Sequence, residues 1–84
     1  MEKTEVVSPA EHIFCMYKLT LEGSFMTSLI TTILRGDIEN RSKIAKGFPE
    51  LVEVCNKYSF QTGYWEDLVK RWNSINDVSL KIIG

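Results

Sequence analysis

His12, Cys15 and Cys55 are the residues of this chain best suited to act as base, nucleophile or metal ligand, and none has a partner at a useful spacing. General acid–base and nucleophilic catalysis require tuned groups held within hydrogen-bond reach of one another. His12, the single histidine, lies near the start of a predicted helix with no evident partner, so it reads as a surface or packing residue. The two cysteines stand far apart, without the close ligand spacings of a metal motif, and read as small buried hydrophobes with free thiols. Glu66 and Asp67 are neighbours whose side chains diverge around a helix, so they form no carboxylate dyad. No glycine-rich phosphate loop occurs. These residues predict a protein that is not an enzyme, with no catalytic residue, no metal site and no cofactor.

The chemistry left to the chain is that of a surface for protein partners. Tyr58, Phe60, Tyr64, Trp65 and Trp72 gather around the last loop and helix. Aromatic residues at helical spacing ordinarily pack inside a small domain. Trp65 lies at the margin of its helix's apolar stripe and Phe60 falls in a loop, so both are candidates for partly exposed contact residues. Arg41 is the third candidate, because its helical angle puts it inside an apolar arc. The expected arrangement has its stem running over the core and its head in water, with a carboxylate pair as the alternative.

Composition narrows the partner. A net charge of −1 gives no electrostatic drive towards nucleic acid or an anionic membrane. Two short helices joined through Gly47 could form a helix-turn-helix, but the second would expose Glu50 and Glu53 against Lys57 alone, a face that repels DNA. No apolar run approaches the roughly 20 residues of a membrane span, and Met1-Glu-Lys-Thr-Glu5 is not followed by the apolar stretch of a signal peptide. A cytoplasmic protein is expected. Partners are expected to be another protein or a second copy, not nucleic acid, membrane or a small-molecule cofactor.

The elements that must position these residues are helices. With 84 residues, 44% apolar and 25% charged, the chain is expected to be a single helical domain over 1–84, with 1–7 a lead-in and 77–84 an extended tail. The fold class is all-α, a compact bundle of four to five short helices. Ser8-Pro9-Ala10-Glu11 is a capping box with proline at the first helical position, opening an element over 9–21. That element fits a helical face (Ala10, Ile13, Phe14, Tyr17, Leu21) and an alternating strand (Ile13, Cys15, Tyr17, Leu19, Leu21) equally well, and the cap favours the helix. A short strand at 13–21 or 78–83 is the alternative.

Ser24 is expected to cap a helix over 24–34 whose one side is apolar and whose other side carries only threonine and serine. Its lack of charge predicts the central, most buried element. Gly36, in the left-handed conformation, and Asp37 as a cap separate it from a third helix over 38–46, with Ile38, Ile44, Ala45 and Phe48 inward and a Glu39–Lys43 pair outside. The Arg35-Gly36-Asp37 triplet is also the integrin-binding tripeptide, but between two helices a stop and a start account for it. Pro49 opens the fourth helix, with Leu51, Val52, Val54, Cys55 and Tyr58 as its stripe. Thr62 or Gly63 caps the last, where Tyr64, Leu68, Val69, Trp72 and Ile75 face inward and Glu66–Lys70 and Asp67–Arg71 pair along the surface.

The segments Gly23-Ser24-Phe25 through Leu34, Asp37-Ile38-Glu39-Asn40-Arg41, Lys46-Gly47-Phe48-Pro49-Glu50 and Gly63-Tyr64-Trp65-Glu66-Asp67-Leu68 resemble a group of small uncharacterised helical proteins of prophages and mobile elements of gut bacteria. The resemblance spans about residues 23–72. It implies a short cytoplasmic helical protein of phage origin, acting as an adaptor, a regulator or an inhibitor of a host protein, and brings no site residues with it. The function expected is a non-enzymatic protein–protein interaction module, with self-association as one form. A small phage-type DNA-associated regulator is the alternative.

Overall fold

The computed structural model of the chain describes residues 6–76 and 80–82. Five helices follow one another: α1 (Pro9–Lys18), α2 (Ser24–Arg35), α3 (Ile38–Ile44), α4 (Pro49–Phe60) and α5 (Tyr64–Ile75). No strand occurs among the described residues. The all-α bundle is as the periodicity predicts, and residues 13–18, where a strand was the alternative, are helix. The proposed strand at 78–83 and the tail at 77–84 lie partly outside the described residues. So does the lead-in, of which residues 6 and 7 are described.

Helix α1 begins on the predicted capping box. The Glu11 amide donates to Ser8 Oγ at 3.1 Å, and the Ser8 amide donates to Glu11 Oε1 at 3.0 Å. The helix stops before the predicted end at 21. Thr20 adopts a left-handed φ of 60°, its amide donates to the Tyr17 carbonyl, and the Leu21 amide reaches back to Met16 O at 2.8 Å. This is a Schellman closure with threonine where glycine is usual. Leu21 is left past the helix and exposed.

The central element is α4, not α2. Helix α4 packs against all four other helices and buries Leu51, Val52, Val54 and Cys55. Helix α2 fully buries only Ile30 and Ile33, and Phe25 at its start is 65% exposed. Its uncharged hydroxyl face is partly satisfied locally: Thr32 Oγ1 donates to Ser28 O at 2.8 Å and Thr27 Oγ1 to Glu22 O at 3.3 Å, while Thr31 pairs with the Tyr17 hydroxyl of α1. Hydroxyls that bond back to their own helix or its lead-in can face water, so absence of charge does not require burial.

Three further local expectations are corrected. Gly23, not Ser24, is the cap of α2, and no side chain caps it. Gly36 is extended at φ −79°, not left-handed, and a Cβ there would lie tightly, 3.3 Å from the Thr32 carbonyl oxygen. Asp37 caps α3 as predicted, accepting from the Asn40 amide at 2.8 Å, but α3 ends at Ile44 and Ile38 points to solvent. The core joins Ala10, Phe14 and Cys15 of α1 and the two isoleucines of α2 to α4 and to Tyr64, Leu68 and Trp72 of α5. Ile75, expected inward, is exposed. No helix among the described residues is long and apolar enough to cross a membrane.

Candidate functional site

Two of the three residues singled out in the sequence share one groove. Phe60, expected in a loop, is instead the last residue of α4, which closes with the Gln61 amide bonded to Lys57 O, and the chain reverses through Gln61, Thr62 and Gly63. Gly63 makes the reversal possible at φ 87°, a left-handed conformation that side chains disfavour. Tyr58, Phe60, Trp65 and Glu66 line the resulting depression of about 370 Å³ together with the turn. Phe60 is 65% exposed. Trp65 is half-buried and set edge-on to Tyr58, with ring centroids 5.5 Å apart and planes at 85°, and to Phe14, at 5.8 Å and 76°. The Lys18 ammonium lies over both Tyr58 and Trp65, at 5.1 and 5.5 Å from their centroids, and donates to the Tyr58 hydroxyl at 3.1 Å. Trp65 is thus a rim residue with a rigid aromatic base beneath it, while Tyr64, Leu68 and Trp72 face the core as predicted.

Arg41 sits beneath this surface. It is only 4% exposed, so its head is not in water, and it pairs with no carboxylate among the described residues. Its guanidinium makes four hydrogen bonds, to Gly36 O, Leu34 O, Asn56 Oδ1 and Ser59 Oγ, at 2.8–3.1 Å. The two carbonyls belong to the end of α2, where helical acceptors run out, so Arg41 caps α2 from α3 and ties both to α4. Its guanidinium carbon also lies 5.2 Å from the Phe60 ring centroid. Arg41 therefore supports Phe60 from below, and presents little surface of its own.

A buried ionic cluster on the other side of α1 is the feature that local sequence rules miss. Arg71 donates from Nη1 and Nη2 to the two carboxylate oxygens of Glu11 at 3.0 and 3.1 Å, and the Tyr64 hydroxyl donates to the same carboxylate. Arg71 also bonds Asp67 at 2.8 Å and the Val6 carbonyl at 2.7 Å. Burial alone would raise the Glu11 pKa, but the Arg71 hydrogen bonds, the Ser8 amide and the Tyr64 hydroxyl outweigh it and hold it at about 2. Burial and the adjacent Glu11 charge push the Tyr64 phenol well above the ordinary tyrosine range. Glu11 accordingly stays ionised, Tyr64 stays protonated, and every polar group of the trio already has a partner. The cluster holds structure and is not arranged to move protons near neutrality. Only the capping box and the Asp67–Arg71 spacing signalled its members in the sequence.

The two thiols are shielded by burial, while His12 is exposed. Cys15 and Cys55 are buried free thiols, and burial pushes their pKa values up to about 12 and about 11. His12 packs its ring 5.2 Å from the Trp72 ring. Among the described residues no three His, Cys, Asp or Glu side chains are grouped as metal ligands would be. A second, apolar groove of about 450 Å³ opens between the starts of α1, α2 and α4, lined by Pro9, Ile13, Met26, Phe48 and Leu51, with Glu50 at its edge. Phe25 stands beside it, its ring 6.3 Å from that of Phe48. Sequence periodicity placed Phe25 and Phe48 on inward faces and so gave no sign of this groove. Comparison with models of protein families, with curated proteins and with solved structures finds no match for this chain.

Proposed function

We propose that the protein is a non-enzymatic protein-interaction module, an adaptor, regulator or inhibitor in the cytoplasm, which takes its partner on the aromatic groove between α4 and α5. The observation that carries this reading is the mounting of Phe60: a largely exposed aromatic ring held against the buried Arg41 guanidinium, beside a half-buried Trp65. A large apolar side chain exposed without support would adapt to many surfaces. One fixed from beneath is pre-organised, and aromatic anchors of this kind dominate binding energy at protein interfaces. The titratable groups support the same reading, since the best-connected acid, Glu11, is locked in one charge state.

The DNA-associated alternative draws little from the surface. Glu50 and Glu53 are exposed on α4, and Lys57 is 3.5 Å from Glu53 and so partly neutralised. Site-specific photo-crosslinkers test the proposal in the native host. A crosslinker in place of Phe60 is expected to trap a partner protein, and one in place of Glu50, ten residues earlier on α4, is not. Adducts from position 50 alone would move the interface to the apolar groove and contradict the proposal.

A further inference from the structure

The apolar groove between the starts of α1, α2 and α4 has a knob beside it. Phe25, the second residue of α2, is 65% exposed although its ring lies only 6.3 Å from that of Phe48, which forms one wall. Ile13, Met26 and Leu51 complete an apolar socket of about 450 Å³, a volume that admits an aromatic ring. The rim carries one charge of each sign. Glu50 lines it, and Lys46 directly precedes Gly47, which also lines it. Both are exposed, and neither forms an ion pair among the described residues. The nearby charges are already matched, Glu53 by Lys57 at 3.5 Å and Lys43 by Glu39 at 3.9 Å.

We infer that this face is a self-association surface, on which a second copy of the chain, related by a two-fold axis, seats its Phe25 in the socket and receives the first copy's Phe25 in its own. A two-fold contact brings one patch against itself, so the patch must carry both halves of every contact it makes. This face does so twice. Knob adjoins socket, and cation adjoins anion, so the rotation that inserts Phe25 also sets Lys46 against Glu50 of the partner subunit and Glu50 against Lys46 of the partner subunit. A foreign segment of either charge would meet a like charge on this rim, and would have to cover Phe25 besides filling the socket. A second copy does both with one side chain, and takes two exposed aromatic rings out of water. One knob and one socket per copy make a small contact, below about 1,200 Å² in total, so the dimer is weak and forms with rising concentration. Helix α4 runs 12 residues, about 18 Å, from this socket to the aromatic groove. The dimer therefore leaves both aromatic grooves open, one at each far end, and offers them together to a partner that is itself repeated.

Sedimentation velocity of the full chain from about 5 to about 500 μM reads the contact. The wild type is expected to pass from monomer towards dimer over that range. Phe25→Ala should weaken the dimer at least about tenfold. Lys46→Glu and Glu50→Lys should each weaken it several-fold, and the doubly reversed chain should return to within about twofold of the wild type, because the pair re-forms with its signs exchanged. All four positions of change lie on exposed side chains, so the melts of these variants should stay within a few degrees of the wild type. A crosslinker at position 50 should then return only a second copy, a product of twice the chain's own mass. A wild type that is still monomeric at about 500 μM overturns the inference, as does a dimer indifferent to Phe25→Ala. A double reversal that fails to recover overturns the two-fold arrangement. Self-association that Phe60→Ala removes and Phe25→Ala does not would move it to the aromatic groove, and a foreign protein trapped at position 25 by a monomeric chain would give the socket to that protein instead.

Discussion

Arg71 grips both carboxylate oxygens of Glu11 across 60 positions of sequence, fastening the last helix to the first turn of the first. The same carboxylate closes the cap of α1 and receives the hydroxyl of Tyr64, so the start of α1 and the inner face of α5 are fixed by one group. A bidentate pair of this geometry specifies orientation as well as contact. With α5 fixed, Trp65 is held at the rim of the aromatic groove and Trp72 in the core.

Replacing Glu11 by Gln keeps the shape of the side chain and removes its charge. Arg71 is then left largely out of water without its counter-charge, and the expected loss is about 3 kcal/mol of unfolding free energy. Urea denaturation of the two proteins side by side measures it. A change within a few tenths of a kcal/mol would mean that the cluster contributes orientation alone.

The pH dependence follows from the same carboxylate. The folded state holds Glu11 at about 2, below the ordinary value of 4.5, so between these values the unfolded chain binds the extra proton. Its contribution is therefore complete above about pH 5, declines as the pH falls through the window, and is gone below about 2. The full span is on the order of 3 kcal/mol. In Glu11→Gln the stability profile should be correspondingly flatter over that window.

Thr20 is a β-branched residue at a φ of 60°, in a closure that glycine fits without strain. Thr20→Gly is expected to stabilise the protein by about 1 kcal/mol, less the entropy that glycine adds to the unfolded chain. A thermal melt decides the sign. A lower melting temperature would show that the exposed threonine hydroxyl, bonded to Leu19 O, compensates for the strain.

Arg41→Lys tests whether the guanidinium is required as such. A lysine ammonium offers three donors from one atom and cannot reach four acceptors spread over α2 and α4. The expected cost is about 2–3 kcal/mol, from acceptors left buried without partners. Equal stability would make the network dispensable.

What could be read from the sequence was local. The Ser8–Glu11 box, the Asp37 cap, Pro49 at the opening of α4 and the Tyr64, Leu68 and Trp72 positions of the α5 stripe are set by residues within one or two turns of each other, and the structure has them in place. The Glu11–Tyr64–Arg71 cluster joins residues more than 50 positions apart, and no periodicity reports such a contact. Helix α2 misled because Thr27 and Thr32 satisfy their hydroxyls locally, so a charge-free surface stays wetted. Phe60 and Trp65 were legible as candidates because the sequence puts one in a loop, although it closes α4, and the other at the margin of its helix's stripe. Arg41 was legible only as an anomaly, since its acceptors come from the end of one helix and the far face of another.

The central claim is that the aromatic groove serves binding rather than folding, and Phe60→Ala tests it most directly when capture and stability are measured on the same variant. Phe60 is mostly in water, so the thermal midpoint should fall by no more than a few degrees, corresponding to less than about 1 kcal/mol. Trp72→Ala, a core aromatic lost, should cost about 3–5 kcal/mol in the same assay. The partner trapped by the crosslinker at position 60 should be recovered by wild-type protein in affinity capture and reduced at least about tenfold with Phe60→Ala, as loss of an interface anchor implies. Undiminished capture by a folded Phe60→Ala protein, or a melt as damaged as that of Trp72→Ala, would contradict the account.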